Sequence, residues 1–151
     1  MKYEKLIEYF KDDESLTNLL GYLAENYFDV IDDYKEQYLN DIISTPDELI
    51  KVKKHLQAII SSLEPIYSKG LSLKKQKEYR YYVEKKEKCE QEGTKFVDGA
   101  TTTESKDAVR LYRDVRDIIR GYLNAANGLY YDIRDTLDRM KIEYSKTKEN
   151  G

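Results

Sequence analysis

From Ser15 onward apolar residues fall at Leu16, Leu20, Leu23, Tyr27, Val30 and Tyr34 in steps of four and three, and Tyr38 and Ile42 continue the line. That spacing lines one face of an α-helix, so the pattern predicts a helix over about residues 15–43. A short amphipathic turn with Leu6, Ile7, Tyr9 and Phe10 precedes it. Asp12-Asp13-Glu14-Ser15 separates the two, because Asp and Ser favour N-cap positions. Thr45-Pro46-Asp47-Glu48 reads as a helix start, with Thr at the N-cap, Pro in the first helical position and Glu48 able to close a capping box. Leu49, Val52, Leu56, Ile59 and Leu63 then repeat the four-three spacing. Pro65 is expected to kink or end that helix near Leu63, with Lys69-Gly70 as a stop.

Residues 71–92 hold no Gly or Pro and predict a third helix, with a thin apolar stripe of Leu73, Tyr79 and Val83 beneath a basic surface. Gly93 ends it. The stretch from Gly93 to Thr103, with two glycines and three successive threonines, reads as a loop. Thr103 or Ser105 then caps a last helix whose stripe runs Ala108, Leu111, Val115, Ile118, Tyr122, Ala125 and Leu129. Beyond Leu129 the spacing shifts to fours at Ile133 and Leu137 before Met140 and Tyr144, a stutter in a heptad pattern. The stripe resumes in phase after Gly128, which favours a helix continuous through that glycine to about residue 145; the alternative is that Asn127-Gly128 breaks it in two, because glycine is a poor helix former. Gly121, Ala125 and Gly128 put small residues on related faces, where another backbone could approach closely. The tail beyond Tyr144 is expected to fray.

Composition agrees with long helices. Only 7 of the 151 residues are Gly and 2 are Pro, while 36% are charged, a combination typical of helical bundles and coiled coils. With no Trp, 3 Phe and 15 Tyr, tyrosine must supply most aromatic contact, and it tolerates half-wet positions because its ring is apolar and its hydroxyl polar. The expected fold class is all-α: a long antiparallel helical hairpin with an N-terminal helical pair, in a coiled-coil-like bundle. An acidic N-terminal helical region (1–70) and the hairpin with its basic first arm (71–151) are expected to form one compact unit. No apolar run approaches the roughly 20 residues that cross a bilayer, and Met1-Lys2-Tyr3-Glu4-Lys5 does not read as a signal peptide. With Cys89 as the single cysteine, a cytoplasmic protein without an intrachain disulfide is expected.

The net charge of −3 conceals a split: residues 1–50 hold 13 acids against 4 bases, residues 51–90 hold 5 against 11, and residues 91–151 hold 11 of each. Segregation of this kind points to an electrostatic partner or to contact between copies of the chain. Catalytic chemistry is thinly provided. His55 stands among lysines with no ligand or base partner at helical spacing, and Cys89 lies in no nucleophile motif. No enzymatic activity and no cofactor or metal is expected. Asp29, Asp32, Asp33 and Glu36 share adjoining parts of one helical face. They lack the histidines that carboxylate metal sites in bundles add, and read either as a solvated face or as a surface for a basic protein.

The richest segment is Lys74, Lys75, Lys77, Tyr79, Arg80, Tyr81, Tyr82, Lys85, Lys86 and Lys88. Cations neutralise phosphates and tyrosine rings stack on unpaired bases, so the interleaving suits single-stranded nucleic acid. Interspersed Glu78, Glu84 and Glu87 equally fit an ordinary solvated helix. The row Arg110, Arg113, Arg116 and Arg120, interleaved with Asp107, Asp114 and Asp117, reads as pairing within or between helices.

Lys77-Glu78-Tyr79-Arg80, Glu92-Gly93-Thr94 at the turn, and Asp107-Ala108-Val109-Arg110-Leu111 through Arg113-Asp114 on the return helix resemble a helical-hairpin group of small phage proteins, the T-even phage recombination mediators. The resemblance covers about residues 72–144 and implies a multimer that binds single-stranded DNA and helps load a recombinase. Carried over, the implied contacts are Lys74, Lys75, Lys77, Arg80, Lys85 and Lys86, with Tyr79, Tyr81 or Tyr82 stacking. Residues 1–70 have no counterpart in that pattern. Three functions therefore stand as expectations: a single-stranded DNA-binding accessory protein of phage or mobile-element recombination or replication, an inhibitor or adaptor that presents its acidic face to a host protein, and a structural coiled-coil assembly protein. More apolar stripes exist than one chain comfortably buries, so a homo-oligomer is expected, with the acidic helix of one copy meeting the basic helix of another.

Overall fold

The computed structural model describes residues 3–151, and side chains from Glu4 onward; Met1 and Lys2, on which the signal-peptide reading partly rests, lie outside the described residues. Every regular element among them is helical: α1 (Tyr3–Tyr9), α2 (Asp13–Leu23), a π-helical turn (Ala24–Phe28), α3 (Asp29–Leu39), α4 (Pro46–Glu92), α5 (Asp98–Ala108) and α6 (Arg110–Glu149). The chain is an all-α helical-hairpin bundle. It divides into two compact units, one of residues 1–20 and 65–119 and the other of residues 21–64 and 120–151. Each unit therefore draws on both sides of residue 70. In the first, Lys77 of α4 lies over the Tyr112 ring of α6 at 4.5 Å. In the second, Lys53 lies over Tyr130 at 5.7 Å. That order is the one an antiparallel α4–α6 hairpin requires.

Helix starts are where the local sequence rules apply most directly. Asp12 caps α2 by accepting the Ser15 N–H at 2.8 Å. Thr45 caps α4: its Oγ1 accepts the Glu48 N–H at 3.3 Å while Glu48 Oε2 accepts the amides of Ser44 and Thr45 at 3.0 and 3.1 Å. The capping box is thus closed.

Four sequence expectations need correction. First, α4 does not stop between Leu63 and Gly70 but runs unbroken over 47 residues. Leu56, Ile59, Leu63 and Ile66 are all buried in phase across Pro65. Pro65 itself is exposed, so water can reach the carbonyl that its missing N–H leaves unpaired. Gly70 is no stop either: a Cβ there would lie 3.0 Å from Cε1 of Phe10, a ring that is 3% exposed. Glycine fills a packing role.

Second, the helix predicted over residues 15–43 ends at Leu39 and changes phase on the way. Asp29 N–H bonds the Ala24 carbonyl, five residues back. This inserts one residue into the stripe, so Leu16, Leu19 and Leu23 are followed inward by Phe28 and Ile31 and not by Tyr27 and Val30. A π-helical turn is invisible to a 3.6-residue template.

Third, the expected loop over residues 93–103 is mostly α5. Only residues 93–97 lie outside a helix, and Thr103 and Ser105 sit inside a helix instead of capping one. Fourth, the last helix runs 40 residues from Arg110 straight through Gly128, but the buried line starts at Val109, just before it, and continues with Tyr112, Val115, Ile119, Leu123, Ala126, Leu129 and Ile133. That set is offset by one from the expected line at five positions. Apolar residues occupy both members of pairs such as Ile118 and Ile119, so periodicity alone could not choose between them. Nothing among the described residues lies within 4 Å of a Cβ at Gly121 or Gly128, so none of them uses these small residues for close approach. No helix among the described residues is long and apolar enough to cross a membrane.

Four consequences are testable by urea unfolding. Gly121→Ala and Gly128→Ala should each raise the unfolding free energy by about 0.5–1 kcal/mol. Gly70→Ala should lower it, because overpacking against a fixed ring costs about 1–3 kcal/mol and outweighs the propensity gain. Thr45→Ala should cost about 1 kcal/mol. The Glu48 carboxyl is held below the usual glutamate range, first by the Ser44 and Thr45 amides. Its contribution is therefore complete above that range and lost as pH falls through the folded value. Glu48→Gln should flatten the acid limb of the stability profile.

Candidate nucleic-acid interface

The basic and tyrosine-rich segment forms the last third of α4, within the first unit, and α5 packs beside it. An uninterrupted helix sends its side chains all round the axis, so one sequence run divides into residues turned toward neighbouring elements and residues turned to solvent. Five of the nine candidate residues meet other groups. Lys74, with 15% of its side chain exposed, pairs with Glu78 at 3.3 Å. Lys77 donates to the Lys11 carbonyl at 3.1 Å, beneath its contact with Tyr112. Tyr81 donates to Glu104 at 3.4 Å, and Lys85 approaches the same carboxylate oxygen at 3.8 Å. Tyr82 donates to Asp98 and meets the edge of Phe96 with ring centroids 5.5 Å apart.

Lys75, Tyr79, Arg80 and Lys86 are the four left exposed. Lys75, Tyr79 and Lys86 stand at i, i+4 and i+11, along one helical face. Tyr79 is 72% exposed, and the expectation that it joins the core stripe is overturned. It borders two shallow grooves. One, of about 410 Å³, lies between α4 and α5 and includes Lys75, Tyr82, Thr102 and Ser105. The other, of about 500 Å³, runs along α4 with Gln76, Arg80, Val83 and Glu84. A planar aromatic face open to solvent, with a cation one turn before it and another beside it, is the arrangement that stacks a base and neutralises its phosphates.

The acids Asp98 and Glu104 were not legible as part of this site, because their segment reads as a loop from its glycines and threonines. A signal was present: they are the first acids after the polar turn, where a chain folding back would meet the basic arm.

The alternative acidic residues lie on α3 in the second unit. Asp29, Asp32, Asp33 and Glu36 are all exposed. Asp32 accepts the Tyr122 hydroxyl at 2.9 Å, and the Tyr122 ring stacks on Phe28 at 4.1 Å and 7°. Among the described residues no three His, Cys, Asp or Glu side chains are grouped to hold a metal ion. His55 is exposed, with Nδ1 2.5 Å from the Tyr34 hydroxyl. Cys89 is buried at 9% exposure, and its carbonyl accepts the Thr94 N–H at 3.0 Å.

Comparison with protein-family models, curated proteins and solved structures finds no match to this chain. A functional reading therefore rests on the geometry above.

Three tyrosines should ionise late. The Tyr82 hydroxyl is raised above the usual phenol range chiefly by its hydrogen bond to Asp98, Tyr122 chiefly by its bond to Asp32, and Tyr34 by burial. A group raised in the folded state contributes stability in full below its ordinary pKa and loses it as pH rises through the folded value. An ultraviolet absorbance titration should show a late alkaline phase. Tyr82→Phe and Tyr122→Phe should each remove one equivalent from it.

Proposed function

We propose that this chain is a non-enzymatic accessory protein that binds single-stranded DNA in recombination or replication, with the strand lying along the exposed stripe of α4. The observation that carries the reading is Tyr79, a ring 72% open to solvent on the same face as Lys75 and Lys86 and next to Arg80. In this arrangement a base stacks on Tyr79 while the cations take the flanking phosphates. The helix rise of about 1.5 Å per residue spreads Lys75 to Lys86 over about 16 Å, long enough to follow several nucleotides. Duplex DNA offers no unstacked base to the ring, so single strands are preferred. Homo-oligomerisation would repeat the stripe and lengthen the track.

A second reading is supported by the exposure of Asp29, Asp33 and Glu36 on α3: a surface for a basic protein, mimicking the charge of nucleic acid. The two readings separate by charge reversal, at Lys75 and Arg80 for the first and at Asp29, Asp33 and Glu36 for the second.

The measurement is anisotropy of a fluorescent oligothymidine across a salt series, with a duplex control. The expected log-log slope is about −2, from roughly three neutralised phosphates at about −0.7 each. Tyr79→Ala should weaken binding by about 1–3 kcal/mol and leave that slope unchanged, whereas Lys75→Glu with Arg80→Glu should weaken binding and flatten the slope. Absence of binding at low salt refutes this reading and turns attention to α3.

A further inference from the structure

Helix α5 is an unusual cover for a basic arm. Its sequence, Asp98–Ala108, has no apolar stripe, and the residues it buries are Thr101 and Ser105, each 3% exposed. A helix held without apolar burial gains little from docking. No side chain caps its N-terminus at Val97. At its other end Val109, with φ −111° and ψ 20°, breaks the helical path into α6. On the upstream side Gly93, at φ +66°, ends α4 in a conformation suited to glycine. Irregular backbone therefore flanks α5 on both sides.

What α5 does contribute is charge. Asp98 accepts the Tyr82 hydroxyl, and Glu104 accepts the Tyr81 hydroxyl while facing Lys85 at 3.8 Å. The Lys85 and Glu104 side chains are 41% and 47% exposed, and so open an ion pair stabilises little. Two carboxylates thus occupy the anion-accepting side of the two tyrosines and the lysine that the exposed stripe lacks. A phosphate oxygen is the same kind of acceptor for a phenol O–H and an ammonium. One groove is lined by exposed Tyr79 together with engaged Tyr82, Thr102 and Ser105, so the open and the covered parts of the arm share it.

We propose that α5 is a displaceable acidic strap, whose Asp98 and Glu104 stand where phosphates of a bound single strand come to lie, so that the strand releases α5 as it docks. The proposal rests on the single-strand reading and deepens it. Binding begins at Tyr79, Lys75 and Arg80, and displacement then adds Tyr81, Tyr82 and Lys85 to the track. The strap makes the covered half of the arm selective, because a strand must supply enough phosphates to replace both carboxylates. An isolated anion opens nothing.

The test uses the full chain with oligothymidine, reading affinity by anisotropy and amide hydrogen exchange by mass spectrometry. On saturation, amides of residues 98–108 should lose protection while those of α4 keep theirs. Asp98→Asn with Glu104→Gln should bind roughly tenfold more tightly at low salt. Glu87→Gln with Glu90→Gln removes the same charge from exposed positions of α4 and should give a clearly smaller gain. Unchanged or increased protection of α5, with equal gains in the two double variants, overturns the strap and leaves single-strand binding standing. Failure of the wild-type chain to bind at low salt overturns the single-strand reading, and the strap with it.

Discussion

Phe10 packs against the bare side of Gly70, and much of the first unit is referenced to that contact. The ring sits where a Cβ would stand, 3.0 Å away, with its centroid 6.4 Å from that of Tyr112. The Phe10 carbonyl accepts the buried Tyr112 hydroxyl at 2.5 Å. One residue at the end of α1 therefore meets α4 through its ring and α6 through both ring and backbone. The next carbonyl, Lys11, takes the Lys77 ammonium, and the next side chain, Asp12, caps α2. Phe10 and Lys11 thus hold α4 at Gly70 and Lys77, two turns apart, and set its rotation about its axis. That rotation decides which cations turn to solvent.

Tyrosine carries an unusual share of the remaining cohesion. The long helices offer narrow apolar faces, and half-buried positions beside them are filled by rings whose hydroxyls find partners at the rim. Tyr34 reaches His55 and Tyr38 reaches Thr136 at 2.8 Å. Tyr122 combines a stack on Phe28 with a bond to Asp32. Such contacts widen a thin core without burying an unsatisfied polar atom, and among the described residues none is found. The π-helical turn belongs to the same economy, since the extra residue it inserts brings Phe28 under Tyr122.

The basic arm shows how little a charge count says about a surface. Lys74, Lys77, Tyr81, Tyr82 and Lys85 are engaged by a glutamate of their own helix, by a carbonyl and a ring from neighbouring elements, and by the two carboxylates of α5. Lys75, Tyr79, Arg80 and Lys86 remain. The six cations and three tyrosines between Lys74 and Lys86 thus become a narrow stripe with one open ring, beside a second set of groups held under polar contacts.

The sequence by itself determined the helical class, the start of α4 and the inward line from Leu49 to Leu63, because caps and four-three spacing are local and need no partner to be read. It also marked the basic arm, since charge and aromatic content are compositional. Tertiary structure alone decided the rest. Pro65 and Gly70 are local helix breakers, yet the buried line through Leu63 and Ile66 and the ring of Phe10 keep α4 whole. The offset in α6 and the phase change at Phe28 arise because adjacent apolar residues are equivalent until a neighbour chooses between them. That Asp98 and Glu104 meet Tyr81, Tyr82 and Lys85 is likewise tertiary, since no spacing along the chain encodes those contacts.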